Sequence, residues 1–234
     1  MSDNRTDFDV IIIGGGPSGA TAAHEIAIAG HRVLLLERAF RIKPCGGAIP
    51  PCLLGEFDIP RSLLKAEIQS ARMISPKEQK VDMPIDGTFV GMVDRDEFDP
   101  WLRQRAQHAG AELEIAAFKK LEYLDSSTIE VTYITKDADT ETKTATARCV
   151  LGADGARSRV AKQGIPKYAE IPWVLAYHEI VEAPETANGD YDPERCEVWY
   201  QGKLSPDFYA WVFPHGKSAS IGVGSAFKDF SAKD

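Results

Sequence analysis

The chain has 234 residues, 44% of them hydrophobic, and this composition predicts a folded globular protein rather than a disordered or fibrous one. Its formal charge of -8 is spread along the sequence, which argues against a nucleic-acid partner, and no apolar run reaches the roughly 20 residues that span a bilayer. The acidic start "MSDNRTDFD" does not resemble a signal peptide, so we expect a cytoplasmic location, with contact to a membrane surface left open.

The first predicted elements are a strand, a helix and a strand. Val10 to Ile13 is a short β-branched run typical of a buried parallel strand, and Val33 to Leu36 is a second such run. Pro17 suits the first turn of a helix between them, and Gly30 is placed to end that helix. The unit has the length of about 30 residues that a parallel crossover requires.

The rest of the chain alternates less regularly. Its predicted elements are strands at 66–75 and 88–93 around an Asp86-Gly87 turn, a helix at 95–109 ended by Gly110, strands at 112–124, 128–135 and 142–151 with "KDADTE" as a turn, a short helix after "GADGARS", and strands at 174–181, 196–200, 208–213 and 218–223. This order predicts an α/β fold, with a Rossmann-like dinucleotide-binding domain followed by a mainly antiparallel β region.

A glycine-rich loop joins the first strand to the first helix. Gly14, Gly16 and Gly19 form G-x-G-x-x-G, in which the glycines allow a tight turn, the approach of a pyrophosphate and close packing of the helix on the strand. Glu37 follows Gly19 by 18 residues, where an acid accepts hydrogen bonds from a ribose and disfavours the 2'-phosphate of NADP. We therefore predict a site for FAD or NAD, the alternative for Glu37 being a solvated strand end.

A second motif is the run "CVLGADGARSRVAKQ", a strand followed by Asp154, Gly155 and a short helix. Asp-Gly alone is an ordinary turn signal. Together with the first loop, however, the run resembles flavoproteins of the p-hydroxybenzoate hydroxylase type. This resemblance implies FAD as the cofactor, Asp154 near its pyrophosphate, and Arg95 in contact with the flavin nucleotide. The alternative for Arg95 is a surface ion-pair residue.

Two further stretches make the chain similar to the geranylgeranyl reductases, of both the (bacterio)chlorophyll type and the archaeal lipid type. The first is "KPCGGAIP" followed by "GEFDIP", and the second is "PDFYAWVFP", which fits P-x-x-Y-x-W-x-F-P. On a strand, Tyr209, Trp211 and Phe213 would point to one face. That face is either a wall for an isoprenoid tail or an aromatic side of the core.

The resemblance implies a set of site residues. The implied cofactor contacts are Gly14, Gly16, Pro17, Ser18, Gly19, Glu37, Arg38, Cys45, Gly46, Gly47, Ala48, Arg95, Asp154 and Gly155. The implied substrate contacts are Pro206, Tyr209, Trp211, Phe213 and Pro214. Cys45 would face the flavin ring as the proton donor or near it, whereas the alternative is a small buried hydrophobic residue. Cys45, Cys52, Cys149 and Cys196 form no C-x-x-C pair, so we expect no structural metal site.

The activity implied by the resemblance is FAD-dependent hydrogenation of isolated double bonds in a geranylgeranyl group, on the free diphosphate or on a (bacterio)chlorophyll, with NADPH or ferredoxin as the electron donor. An FAD-dependent hydroxylase or epoxidase on the same scaffold, and a non-catalytic FAD-binding module, remain alternatives.

The later part of the flavoprotein pattern is missing from the sequence. The family's third flavin motif, a strand ending in Gly-Asp, should follow the aromatic stretch, whereas Gly189-Asp190 precedes it. We therefore expect an N-terminal fragment. It would comprise an incomplete FAD-binding domain at 1–165 and the beginning of a substrate-binding β region at 166–234.

Overall fold

The computed structural model describes residues 6–136, 140–169, 171–184, 186–189, 191–227 and 229–231. The elements in these residues are β1 Phe8–Ile13, α1 Pro17–Ile28, β2 Val33–Glu37, β3 Ala48–Ile49, α2 Cys52–Glu56, β4 Leu64–Ile68, β5 Ser70–Ile74, β6 Lys80–Pro84, β7 Val90–Val93, α3 Arg95–His108, β8 Glu112–Tyr123, β9 Ile129–Thr135, β10 Thr142–Gly152, α4 Arg159–Gly164, β11 Leu175–Glu182, β12 Arg195–Trp199, β13 Ala210–His215 and β14 Ser218–Ser225. They form two compact units, one of Met1–Arg41 with Asp99–Ile171 and one of Ile42–Phe98 with Pro172–Asp234.

The first unit is built on a sheet that closes on itself. β1 lies between β10 and β2 and is parallel to both, and β2 is in turn parallel to β8. β8 and β10 are long enough for their other halves to pair with β9 in the antiparallel direction, which gives the closed order β1-β10-β9-β8-β2. Burial of aliphatic side chains inside it contributes roughly 1.5–3 kcal/mol each. The core residues are Ile11, Ile13, Leu34, Leu36, Ala116, Phe118, Leu121, Val131, Tyr133, Ala145, Ala147 and Val160.

Helix α1 packs on this unit through small residues. Its buried positions are Gly19, Ala20, Ala23 and Ala27, which share one helical face. A Cβ on Gly19 would overlap the carbonyl oxygen of Gly14, so the helix approaches the preceding turn too closely for a side chain at this position. The small residues thereby bring the start of α1 directly onto the glycine loop.

The second unit contains two sheets. The larger sheet has the order β11-β14-β13-β12-β5-β6, and all of its neighbouring pairs are antiparallel except β12 with β5. The smaller sheet has the order β3-β7-β4. Ile68, Met92 and Cys196 form a buried cluster in this unit, and Phe213 packs against it.

The structure corrects several predicted elements. The single strand predicted at 66–75 is two strands in different sheets, β4 and β5, because the chain breaks at Gln69, which bonds to Glu194 and Ile85 through its backbone. The short elements β3 and α2 and the exposed strand β6 were not predicted from the sequence. The other predicted strands and helices are present within a few residues of the expected bounds. Residues 137–139 of the predicted "KDADTE" turn and Asp190 of the Gly-Asp pair lie outside the described residues.

The two compact units also differ from the predicted domains, 1–165 and 166–234. Residues 42–98 belong with 172–234 because β5 pairs with β12. Neither stretch alone carries a pattern that specifies this parallel pairing. Among the helices that the structure describes, none is long and apolar enough to cross a membrane.

Candidate active site

The glycine loop of the first unit leaves backbone groups available for an anion. Gly14 adopts a φ of +108°, and its N-H donates to the Leu36 carbonyl oxygen at 2.8 Å. A Cβ at Gly14 would overlap the Ala153 carbonyl oxygen, so only glycine fits this turn. Helix α1 begins at Pro17 with Gly16 as its N-cap, and no side chain caps it. The first-turn N-H groups and the positive end of the helix dipole therefore suit a pyrophosphate.

Glu37 is fixed beside this loop. Its Oε2 accepts a hydrogen bond from the Gly15 N-H at 2.7 Å, and its Oε1 accepts one from the Ala39 N-H at 3.0 Å. Each carboxylate oxygen can accept two hydrogen bonds, so one acceptor position per oxygen remains for a ribose hydroxyl. The carboxylate and the uncapped helix start fit the adenosine diphosphate half of FAD.

Arg103 supports the same loop and was missed in the sequence analysis. This buried side chain of α3 donates from Nη1 to the Gly15 carbonyl oxygen at 3.1 Å. Its guanidinium also lies 4.6 Å from the centre of the Phe40 ring. In the sequence, Arg103 is only one of several arginines in a predicted helix. Its burial depends on the tertiary fold and could not be predicted from the helix alone.

Asp154 acts in the structure as a helix cap. Its Oδ1 accepts from the Ser158 hydroxyl, and its Oδ2 accepts from the backbone N-H groups of Arg159 at 2.6 Å and Val160 at 3.2 Å. The Ser158 hydroxyl oxygen in turn accepts from the Ala161 N-H at 2.9 Å. These bonds order the start of α4. A position of Asp154 near a pyrophosphate stays a prediction.

The other predicted cofactor residues differ in their exposure. Ser18, Arg38 and Gly155 are exposed, as is Ala48 on β3, while Arg95 is the half-buried first residue of α3. Gly155 has a φ of +88°, which gives it a turn role of its own. Their contacts with FAD remain predictions.

In the second unit, Cys45 is exposed and lies on a tightly packed backbone. The Gly47 N-H donates to the Cys45 Sγ at 3.5 Å. A Cβ at Gly46 would lie 2.5 Å from Cδ2 of Phe213, and one at Gly47 would lie 2.7 Å from Cε1 of His215. The two glycines are thus required by protein packing inside this unit. The exposure of Cys45 argues against the alternative of a small buried hydrophobic residue.

The aromatic residues predicted on β13 do share one face. The ring centres of Tyr209 and Trp211 are 6.1 Å apart, and those of Trp211 and Phe213 are also 6.1 Å apart. Trp211 is only 5% exposed, and its Nε1-H donates to the Ser220 hydroxyl oxygen at 3.1 Å. Trp211 is therefore mainly a core residue, while Tyr209 and Phe213 are half-buried.

Tyr200 and Phe208, which the sequence analysis did not select, contact the outer end of the row formed by Tyr209, Trp211 and Phe213. Phe208 stacks on Tyr209 with ring centres 4.2 Å apart, and Tyr200 meets Tyr209 edge-on at 6.1 Å. Phe208 and Tyr200 are 37% and 46% exposed. Burial, followed by the charges of Tyr200 and Cys45, raises the pKa of Tyr209. Tyr200, Phe208 and Tyr209 form a partly exposed group of rings, which we call the aromatic cluster.

The two prolines of the aromatic motif are placed differently. Pro206 is exposed in the loop that precedes β13. Pro214 is fully buried, and strand alternation puts it on the face of β13 opposite Trp211 and Phe213. The structure therefore does not bring Pro214 onto the aromatic face. Among the described residues, no group of three or more His, Cys, Asp and Glu side chains is arranged to hold a metal ion.

The strand, glycine loop, helix and acid define an FAD-binding α/β fold of the oxidoreductase class. The sequence profile of the pyridine nucleotide-disulphide oxidoreductase family matches residues 8–190, and the chain belongs to this family. It is 54% identical over 227 residues to a geranylgeranyl diphosphate reductase of Rhodobacter capsulatus, covering 97% of this chain and 57% of that protein. It is 38% identical over 230 residues to the chloroplastic geranylgeranyl diphosphate reductase of Oryza sativa subsp. japonica, covering 92% of this chain and 48% of the relative.

Solved structures share the fold. A geranylgeranyl bacteriochlorophyll reductase-like protein from Thermoplasma acidophilum superposes with a TM-score of 0.79 at 26% identity, over 94% of this chain and 56% of that one. A myxobacterial FAD-dependent chondrochloren halogenase matches with a TM-score of 0.72 at 21% identity, over 93% and 52% of the two chains, which shows a common fold alone. The predicted FAD-binding fold and the resemblance to geranylgeranyl reductases are confirmed. The chain spans about half the length of the curated relatives it matches.

Proposed function

We propose that the chain is part of an FAD-dependent reductase that hydrogenates isolated double bonds of a geranylgeranyl group. The observation that carries this proposal is the 54% identity to the Rhodobacter capsulatus geranylgeranyl diphosphate reductase. The substrate is a lipid-like isoprenoid, either the free diphosphate or a (bacterio)chlorophyll ester, and contact with a membrane surface is part of the proposal. The activity belongs to the whole protein, of which this chain supplies the glycine loop, Cys45 and the aromatic cluster.

The glycine loop and Glu37 would hold the adenosine diphosphate part of FAD through first-turn N-H groups and the ribose-facing carboxylate. When bound and reduced, FAD supplies the hydride for the alkene carbon. The electrons would come from NADPH or ferredoxin. Because Glu37 disfavours a 2'-phosphate at the loop, NADPH would have to act elsewhere.

The aromatic cluster would bind the isoprenoid tail by burying apolar surface. The Tyr209 phenol is uncharged at neutral pH, as is usual for tyrosine, and burial raises its pKa further, so the cluster is compatible with an apolar ligand. An isolated alkene has no carbonyl to accept charge, and the reduction therefore needs a proton as well as a hydride. Cys45 is the proposed source of that proton, since its thiol is exposed. The Gly47 N-H, 3.5 Å from Sγ, would stabilise the thiolate that remains.

The activity is tested with the whole protein under anaerobic conditions. Its flavin is first reduced chemically and then mixed with geranylgeranyl diphosphate or the geranylgeranylated pigment. We expect flavin oxidation with the gain of two hydrogen atoms in the product per flavin, measured by absorbance and mass spectrometry. Flavin that stays reduced until oxygen is admitted would contradict the proposal and favour a monooxygenase.

The role of Cys45 is tested by the Cys45→Ser variant. Loss of the acidic thiol should lower the rate of alkene reduction by about 100-fold and leave FAD affinity unchanged. Cys52→Ser is the matched control, since Cys52 is also an exposed thiol of the same unit, and it should retain the full rate. Equal rates in the two variants would remove Cys45 from the proposed chemistry.

A further inference from the structure

The second unit contains a buried histidine that bridges two parts of the chain. His215 ends β13, and its side chain is 3% exposed. Its Nδ1 lies 2.7 Å from Oδ1 of Asp94, and its Nε2 lies 3.0 Å from the carbonyl oxygen of Gly46. The residue therefore connects the start of α3 with the loop that carries Cys45.

Both partners of His215 are acceptors. A carboxylate and a backbone carbonyl oxygen have no hydrogen to donate, whereas a neutral imidazole has one N-H donor and one acceptor nitrogen. Both contacts can be hydrogen bonds only if both ring nitrogens donate. The geometry thus describes an imidazolium paired with the Asp94 carboxylate, and the two bonds are of the stronger, charge-assisted kind.

The other charged groups around this pair are compatible with a positive ring. Lys65 of β4 forms an ion pair with Glu97, in which Nζ and Oε1 are 2.6 Å apart. His178 of β11 forms a hydrogen bond with the Ser220 hydroxyl. The pKa of His178 is lowered, mainly by burial and secondly by the charge of His215. Both causes disfavour a positive charge on His178.

The loop of Cys45 is packed directly on His215. Gly47 leaves no room for a Cβ beside Cε1 of His215, and the Val93 N-H donates to the Gly47 carbonyl oxygen at 2.9 Å. The Gly46 carbonyl that His215 bonds and the Gly47 N-H that meets the Cys45 Sγ belong to the same planar peptide unit. Movement of the Gly46 carbonyl would therefore move the donor that faces the thiol.

We propose that His215 is a positioning residue that, as an imidazolium held by Asp94, fixes the Gly46-Gly47 backbone and so sets the position of the Cys45 thiol. The consequence for alkene reduction rests on the proposed function, but the positioning itself does not. Neutral imidazole would have to release either Asp94 or Gly46. One ring proton therefore decides whether His215 bonds to both partners or to only one of them.

The charge state is read by NMR of protein labelled with nitrogen-15 in histidine. We expect two protonated ring nitrogens on His215 at pH 6.5. In the Asp94→Asn variant, the new amide can donate to Nδ1, and a neutral ring can still donate to Gly46. This variant should show one protonated nitrogen on His215. One protonated nitrogen in the wild-type protein, or two in the Asp94→Asn variant, would overturn the proposal.

The contact of His215 with the Cys45 loop is tested by hydrogen exchange of the Val93 amide, which donates to the Gly47 carbonyl oxygen. His215→Gln replaces the two donor nitrogens of the ring by a single amide nitrogen, and exchange at Val93 should become at least about tenfold faster. His178→Gln is the matched control, because His178 bonds Ser220 and not the loop, and should leave the rate unchanged. Unchanged exchange in His215→Gln, or equal acceleration in His178→Gln, would overturn the proposal.

If His215→Gln does not fold, the Asp94→Asn variant tests the same contact, since its neutral ring can still donate to the Gly46 carbonyl oxygen and Val93 should stay protected. Loss of Val93 protection in Asp94→Asn would count against the proposal. None of these readouts requires FAD or turnover. Failure of alkene reduction with positive NMR results would therefore reject the proposed function alone.

Discussion

At the scale of single residues, Cys196 couples the stability of the second unit to alkaline pH. It is 7% exposed on β12, and burial raises the pKa of its thiol to about 12 from an ordinary 9.0. Between these two values the unfolded chain loses the proton and the folded chain keeps it. The contribution of this thiol to the free energy of unfolding should therefore be constant below pH 9 and should fall above it by up to about 1.4 kcal/mol per pH unit.

The control is the Cys196→Ala variant, which has no thiol to titrate. Its cavity lowers the free energy of unfolding at every pH, so the informative quantity is the slope against pH and not the absolute value. Urea titrations at pH 8.5, 9.5 and 10.5 should show a steeper fall for the wild-type protein. Parallel slopes would mean that the thiol ionises in the folded state as easily as in the unfolded one.

At the scale of elements, β14 is shaped to accept the aromatic row of β13. A Cβ on Gly222 would overlap the indole ring of Trp211, and one on Gly224 would lie 2.7 Å from Cδ1 of Phe208. Trp211 has little freedom to move because it is buried and bonded to Ser220. Gly222→Ala should therefore lower the free energy of unfolding by about 1–3 kcal/mol, measured by urea denaturation followed through tryptophan fluorescence.

Gly202→Ala is the matched comparison, since a Cβ there meets no atom within 4 Å. This variant should unfold within about 0.5 kcal/mol of the wild-type protein. If Gly222→Ala is as stable as Gly202→Ala, the indole ring can move aside, and the packing of β14 on β13 is looser than the structure indicates.

The elements that were predicted from the sequence have patterns within their own residues. β1 and β2 contain continuous apolar runs at 10–13 and 33–36, and α1 has its proline, its small residues and the following Gly30 in order. β6 has no such pattern, because all five of its residues are exposed. It is a strand because it pairs with β5, with Arg72 and Asp82 joined by bonds of 2.6 and 2.8 Å. Such a strand depends on its neighbour and cannot be recognised alone.

At the scale of the whole molecule, only those residues of the candidate sites that belong to local sequence motifs were predicted. The glycine loop, Glu37 and the shared face of the β13 aromatics follow from spacing and strand alternation. Arg103 and His215 were missed because their roles depend on burial and on partners distant in sequence. The division into units was missed for the same reason, since it follows from the pairing of β5 with β12.

The glycine loop and Glu37 together predict which dinucleotide stabilises the chain. At a free concentration 100-fold above its Kd, FAD should add about 2.7 kcal/mol to the free energy of unfolding, which raises the midpoint of a chain of this size by roughly 5–10 °C. NADP+ at the same concentration should give a much smaller shift, because its 2'-phosphate would meet the Glu37 carboxylate. Both shifts are measured by calorimetry. In the Glu37→Gln variant the carboxylate that accepts from the ribose hydroxyls is absent, so the shift with FAD should become smaller. The repulsion of the 2'-phosphate is absent as well, so the shift with NADP+ should become larger. Equal shifts by FAD and NADP+ in the wild-type protein would show that Glu37 does not face the ribose and that the loop selects only for the pyrophosphate.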